Sequence, residues 1–189
     1  MENTENKENC KLPIVVNLFG QPGAGKSTLA AYTFAKLKMM NVNCELVTEF
    51  AKDKTWEKNF TALSNQIYVF AKQYFRLDRC ANKVDVIITD SPLALSPYYN
   101  KDPDIHGPLC ELARRIANKF TNFNYFIKRI KKYNPVGRNQ TEEESDQIAV
   151  ELKEMLNSYG MKYTELPGDL MSADKIIDDV LAKLGDKRI

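Results

Sequence analysis

The residues from Gly20 to Thr28 read GQPGAGKST and are typical of a loop that binds phosphate. They match the pattern GxxxxGK[ST]. Glycines let successive backbone N–H groups point at a phosphate, the lysine can reach the terminal phosphates of a nucleotide, and the serine hydroxyl can bind Mg²⁺. We therefore expect ATP and Mg²⁺ to bind here. The expected contacts are Gly20, Gln21, Pro22, Gly23, Ala24, Gly25, Lys26, Ser27 and Thr28, called the P-loop below.

Two carboxylates stand near the ends of the next two apolar segments of the sequence. Glu49 lies in CELVTEF, and Asp90 closes VDVIITD. In phosphoryl transfer one carboxylate can bind the metal while another accepts the proton of an attacking hydroxyl. We assign Asp90 to Mg²⁺, together with Ser27, and Glu49 to the base. The exchange of these two roles stays open.

A basic segment, KRIKKYNPVGRNQ, spans residues 128–140. It contains a proline and a glycine between basic residues, which is typical of a segment that closes over a nucleotide and excludes water. Arginine binds phosphate oxygens with two parallel hydrogen bonds. We therefore predict a lid near residues 129–140, with Arg129 and Arg138 as its phosphate ligands.

The segment between the two acids carries aromatic and amide side chains suited to binding a nucleobase. An amide can hydrogen-bond the edge of a base while an aromatic ring stacks on its plane. Most aromatic residues at helical spacing pack in a core. We therefore single out only Trp56 and Gln73, in addition to Glu49, as ligands of the acceptor.

These residues must be positioned by alternating strands and helices. We predict strands over residues 12–19, 44–50, 84–90, 124–130 and 162–166, and helices over 27–40, 61–81, 109–120, 141–160 and 172–184. Strict alternation predicts an α/β fold, a five-stranded parallel sheet with helices on both faces. Ligands of such sheets bind beyond the carboxyl ends of the strands, where the P-loop and both acids are expected.

Composition limits the organisation of the chain. Its 189 residues are 43% hydrophobic and 28% charged, enough for one core. We expect a disordered tail over residues 1–10 and a single domain over 11–189. The four cysteines are far apart, as in a protein with reduced thiols in the cytoplasm. No apolar run approaches the ~18 residues of a membrane span, so no membrane contact is expected, and a monomer and a homodimer both stay open.

Charge is unevenly distributed although the net charge is only +2. Between Glu111 and Gln140 there is one acidic residue against eight basic ones: Arg114, Arg115, Lys119, Lys128, Arg129, Lys131, Lys132 and Arg138. Such a block can attract a polyanion, including nucleic acid. The alternative is a phosphate clamp for a nucleotide combined with ordinary solvated helix faces.

With the P-loop, both acids and the lid in view, the chain resembles the nucleoside and nucleotide kinase branch of P-loop proteins. The phrases ELVTEFAKDKTWE, DVIITDSPL and YNPVGRNQTEEE resemble phage proteins related to the kinase domain of bacterial nicotinamide riboside kinase. The segment TEF…W before a helix with Gln73 is similar to deoxynucleoside kinases. This resemblance implies that Glu49 is the general base and that Gln73 recognises the nucleobase. Those enzymes carry an arginine after the acid of the third strand, whereas Ser91 follows Asp90 here.

The resemblance implies an ATP-dependent kinase that phosphorylates a hydroxyl group, in a host bacterium's cytoplasm if the chain is phage-encoded. The leading hypothesis for the acceptor is 5-hydroxymethyluridine within phage DNA, because the basic block would serve a DNA backbone. The alternative is a free nucleoside, a nucleoside monophosphate or nicotinamide riboside. A third hypothesis is a non-kinase P-loop NTPase.

Overall fold

The strands form one parallel sheet in the order β2-β3-β1-β4-β5. In the computed structural model, which describes residues 12–185, the strands are β1 (Ile14–Phe19), β2 (Cys44–Val47), β3 (Val86–Thr89), β4 (Thr121–Lys128) and β5 (Thr164–Pro167). The chain passes between parallel neighbours through helices, as crossover connections require. The predicted five-stranded parallel sheet is thus confirmed. The predicted disordered tail lies outside the described residues.

Helices cover both faces of the sheet. Within residues 12–185 they are α1 (Lys26–Met39), α2 (Phe50–Trp56), α3 (Phe60–Ser64), α4 (Gln66–Ala81), α5 (Ser96–Tyr99), α6 (Pro103–Ala117), α7 (Glu142–Ser158) and α8 (Leu170–Gly185). Side chains alternate between the two faces of a strand. In β1, Val16 packs with α1 and α8, whereas Val15 packs with α4 and α6 and Phe19 with α7. The sheet is therefore buried on both sides.

Several element bounds differ from those expected from the sequence, and caps explain the differences. The strand expected over 44–50 ends at Val47, because Glu49 is already the N-cap residue of α2. The helix expected over 61–81 is interrupted at Asn65, whose side chain accepts a hydrogen bond from Tyr68 N at 3.0 Å and so starts α4. The capping box of Thr141 and Glu144 is present at the start of α7.

Strands β2, β3 and β1 are neighbours, so their carboxyl ends meet at one edge of the sheet. Glu49 follows the end of β2 after one residue, while Asp90 and Gly20 directly follow β3 and β1. No helix within residues 12–185 has the length and apolarity that crossing a bilayer requires.

Candidate active site

The P-loop backbone has a shape that only glycines allow. Gly20, Gly23 and Gly25 have φ values of 134°, 81° and 99°, all in the range that L side chains rarely adopt. At Gly20 there is also no space, because a Cβ would lie 2.5 Å from the backbone oxygen of Ile127 in β4. The loop therefore turns tightly against the sheet and presents its N–H groups at the start of α1, an arrangement suited to anions.

Lys26 is held inside the mouth of this loop. Its Nζ donates hydrogen bonds to the carbonyl oxygens of Gly20 at 2.7 Å and Gln21 at 3.1 Å. Burial lowers the pKa of Lys26, while the negative charges of Glu49 and Asp90 oppose that decrease. The ammonium thus faces two carboxylates, and phosphate oxygens are stronger acceptors that can replace its carbonyl partners.

The two predicted acids lie close enough to influence each other. Burial raises the pKa of Glu49, the negative charge of Asp90 raises it further, and the Lys26 ammonium lowers it. Asp90 is only 5% exposed, and its Oδ1 is buried without a hydrogen-bond partner among the described residues. Lys26, Glu49 and Asp90 thus lie within electrostatic reach of one another at the ends of β1, β2 and β3.

The oxygen atoms at this edge fit the requirements of Mg²⁺. The ion prefers oxygen ligands and is commonly bound by one or two protein groups together with substrate phosphates. Ser27 is the second residue of α1, within the P-loop, and is exposed, and Asp90 offers the unpartnered Oδ1. A buried carboxylate oxygen without a donor is costly unless a cation or a donor binds it. Ser27 and Asp90 are therefore compatible with the predicted metal site.

Gln73 lies near Glu49, but its amide is occupied by backbone groups. Its Oε1 accepts a hydrogen bond from Phe50 N at 2.9 Å, and its Nε2 donates to Thr48 O at 3.3 Å. The side chain is 4% exposed. Gln73 thus fixes the backbone on both sides of Glu49, and its recognition of a nucleobase stays a prediction.

The predicted lid folds back over the P-loop through Tyr133, which the sequence analysis did not single out. A Cβ on Gly23 would lie 3.0 Å from Cδ2 of the Tyr133 ring. The guanidinium carbons of Arg129 and Arg138 lie 5.3 and 5.5 Å from the centroid of that ring, a distance at which cation–π attraction operates. Tyr133 Oη also donates to Gln140 O at 2.5 Å. Both predicted lid arginines are therefore organised by one tyrosine that rests on the loop.

The two lid arginines differ in their attachment. Arg129 is 9% exposed and forms ion pairs with Glu142 at 3.1 Å and Asp146 at 2.6 Å, both from α7. Its Nη1 is buried without a partner among the described residues. Arg138 forms no ion pair with any other residue between 12 and 185. Its positive charge lowers the pKa of Lys26. Of the two lid arginines, Arg138 is thus the one whose charge acts on the P-loop lysine.

Trp56 lies beside the turn of the predicted lid. It is the last residue of α2 and is 60% exposed. A Cβ on Gly137 would lie 2.6 Å from Trp56 Cζ2, so the indole contacts the lid turn. Stacking of Trp56 on an acceptor stays a prediction.

Three further residues near the site were missed in the sequence. Ser145 Oγ donates to Pro22 O at 2.7 Å and ties α7 to the P-loop. A Cβ on Gly168 would lie 2.2 Å from Ala24 O, so the turn after β5 touches the loop from another side. Burial raises the pKa of Tyr99, and the charge of Glu49 adds to the rise, so the phenol lies within electrostatic range of the acid. Only Gly168, in a Pro-Gly turn after a predicted strand, carried a signal in the sequence.

The basic block of the sequence does not form one surface. Helix α6 ends at Ala117, before the start of β4, while the lid follows the other end of that strand. An eight-residue strand is about 26 Å long. Arg114 and Arg115 lie in the last turn of α6, before the start of β4. Both pair with Glu111, at 2.8 and 2.6 Å. The block is therefore divided between opposite ends of the sheet.

Comparisons with known proteins agree with this geometry. The sequence model of a family described as AAA domain matches residues 15–172. The solved structure of deoxyadenosine kinase from M. mycoides with bound dATP matches with a TM-score of 0.56 and 18% identity, over 90% of this chain and 99% of that chain. The structure of deoxyadenosine kinase from M. mycoides with bound dCTP matches with a TM-score of 0.56 and 20% identity, over 91% and 99%. No curated protein matches the sequence. The likeness to the kinase structures shows a shared fold.

Proposed function

The chain belongs to the AAA-domain family of P-loop proteins, which implies nucleotide binding, and on that premise we propose that it is an ATP-dependent kinase. Its acceptor is the hydroxyl of a free, small nucleoside-type molecule. The observation that carries the proposal is the meeting of Lys26, Glu49 and Asp90 at the carboxyl ends of three neighbouring strands. A P-loop lysine flanked by two carboxylates provides for both the donor phosphate and the acceptor proton.

The proposed transfer needs a base, and Glu49 suits that role. The acceptor oxygen bonds to the γ-phosphorus of ATP as the bond from that phosphorus to the β–γ bridging oxygen breaks. The acceptor proton passes to the Glu49 carboxylate. Its raised pKa makes the carboxylate a better proton acceptor than an exposed glutamate, because proton affinity rises with pKa.

The donor half of the reaction is assigned to the P-loop and the lid. Lys26 exchanges its carbonyl partners for phosphate oxygens and stabilises the negative charge of the transferring group. Arg138, and Arg129 through its unpartnered Nη1, contribute positive charge from the lid. Mg²⁺, when held by Ser27 and Asp90, would neutralise negative charge on the phosphates.

Three observations support a free acceptor over one within DNA. The basic block is split between the two ends of β4, so it offers no continuous track for a backbone. Two of its arginines are paired with Glu111. The fold is shared with structures of deoxyadenosine kinase from M. mycoides. The DNA acceptor favoured by the sequence has no support in this arrangement.

A transfer assay tests the proposal. Radiolabelled ATP is offered with a panel of free nucleosides, nucleoside monophosphates, nicotinamide riboside and hydroxymethyluridine-containing DNA. We expect label on at least one free nucleoside-type compound and none on DNA. Label on DNA alone would restore the first hypothesis, and release of labelled phosphate with no labelled acceptor would indicate an NTPase.

A further inference from the structure

The turn at the tip of the lid packs directly on the one tryptophan of the sequence. A Cβ on Gly137 would lie 2.6 Å from Cζ2, 3.1 Å from Cη2 and 3.2 Å from Cε2 of Trp56. Distances this short mean that the indole touches the glycine backbone with no room for a side chain. Gly137 also has a φ of 73°, which favours glycine, and a Cβ there would force the indole to shift.

The contact determines where one lid arginine lies. The turn is closed by a hydrogen bond from Arg138 N to Pro135 O at 3.1 Å, and Val136 N donates to Asn134 Oδ1 at 3.0 Å. Because Arg138 directly follows Gly137 in this ordered turn, support of Gly137 by the indole also fixes the start of the Arg138 side chain. The guanidinium then lies on the Tyr133 ring.

On the other side, the contact leads back to the proposed base. Helix α2 has Glu49 at its N-cap and Trp56 as its last residue. Its seven residues span about 10 Å. The amide of Gln73 fixes its first turn through Phe50 N, and Arg76 of α4 pairs with Asp53 in its middle. One short, anchored helix therefore carries both the proposed base and the support of the lid.

We propose that Trp56 is a positioning residue whose indole supports the lid at Gly137 and thereby holds Arg138 over the P-loop. The role of Arg138 in phosphate binding rests on the proposed function. The support itself acts on donor binding and needs no acceptor, so it can be tested with a nucleotide alone.

The test compares affinities for the non-hydrolysable analogue AMP-PNP with Mg²⁺, measured by calorimetry. We expect Trp56→Ala to raise the Kd about fivefold or more, because a displaced lid binds phosphate less well. Trp56→Phe keeps a ring against Gly137 and should restore the Kd to within about twofold. Phe75→Ala is the matched control, since Phe75 is 65% exposed on α4 and should leave the Kd unchanged. Thermal melting curves check that each variant is folded.

A second variant tests the contact from the lid side. Gly137→Ala introduces a methyl group where the indole lies and should also raise the Kd. In the double variant with Trp56→Ala the collision is gone, so the Kd should be no higher than for Gly137→Ala alone. A Kd within about twofold of wild type for Trp56→Ala, an unchanged Kd for Gly137→Ala, or multiplied effects in the double variant would overturn the proposal. These comparisons remain decisive even if no acceptor is phosphorylated, so the two failures are distinguishable.

Discussion

The donor side and the acceptor side of the site are built in different ways. On the donor side the main contacts involve the backbone: three glycines with positive φ, Lys26 bound to two carbonyls, and Ser145 bound to Pro22 O. On the proposed acceptor side, side chains of α4 hold the segment around α2: Gln73 binds the backbone of Phe50 and Thr48, and Arg76 pairs with Asp53. The donor side is thus a loop of fixed backbone conformation, whereas the proposed acceptor side depends on side chains that join two helices.

The two sides should tolerate different substitutions. A cradle made of backbone amides binds any nucleotide with the right phosphates, and its residues can change little. Exposed side chains on α2, α3 and α4 can be exchanged without altering the sheet, unlike the buried ones that pack on it. We therefore expect specificity to vary on the proposed acceptor side, where Phe60 of α3 and Ile67 of α4 are 61% and 51% exposed.

The largest effect is expected on the donor side, at Lys26. Lys26→Ala should lower kcat at least about a hundredfold, or about 3 kcal/mol in barrier, because the charge of the transferring phosphoryl group loses its nearest cation. Lys38→Ala, at an exposed position in the last turn of the same helix, is the control and should leave kcat unchanged. Retention of more than about a tenth of the wild-type kcat by Lys26→Ala would contradict a role of the P-loop in catalysis.

Substitutions of the two acids should have different kinetic effects. Glu49→Gln should lower kcat about a hundredfold with the KM for ATP nearly unchanged, because only proton acceptance is lost. Asp90→Asn should raise the Mg²⁺ concentration required for half-maximal rate, because it removes one anionic oxygen. The measurement is a Mg²⁺ titration of the initial rate for both variants. Identical titrations for wild type and Asp90→Asn would mean that the roles are exchanged or misplaced.

The coupling between the acids predicts a pH dependence. A protonated Glu49 cannot accept a proton, so kcat/KM should fall as pH falls through its pKa, which burial raises above the ordinary glutamate value. The negative charge of Asp90 contributes to that rise. Asp90→Asn should therefore lower the pKa of Glu49 and move the acidic limb of its pH–rate profile to lower pH. An unmoved limb, or one at higher pH, would contradict the assignment of Glu49.

The smallest effect is expected from the lid lysines. Lys131 and Lys132 are exposed, and a free acceptor has no extended backbone for them to neutralise. The double change Lys131→Glu with Lys132→Glu should alter the KM of a free nucleoside acceptor less than about twofold, and this KM should depend only weakly on salt. A steep salt dependence abolished by this double change would instead favour a DNA backbone as ligand.

Sequence alone sufficed for the parts of the molecule that are encoded locally. The parallel sheet follows from apolar strands that alternate with helices. The capping box is encoded by Thr141 and Glu144, and the placement of Asp90 follows from the rule for strand ends. Each of these depends on neighbouring residues in the chain, which is why a pattern reveals them.

The parts that sequence alone missed depend on residues brought together from distant segments. Gln73 resembles a base-recognition residue, yet its amide is satisfied by backbone groups of Thr48 and Phe50. Tyr133 was not distinguished from other aromatic residues until its ring was found on Gly23. The contiguous basic block suggested a single surface, because a linear count of charges does not include the length of β4 between its halves.

The most direct test of the proposed activity is the fate of the phosphate lost from ATP. ADP formation is measured with and without the mixture of free nucleosides, and the nucleosides are analysed by mass spectrometry. The account predicts that ADP forms rapidly only when nucleosides are present, with one phosphorylated nucleoside for each ADP. Equal ADP formation without nucleosides, or formation that requires hydroxymethyluridine DNA, would contradict it.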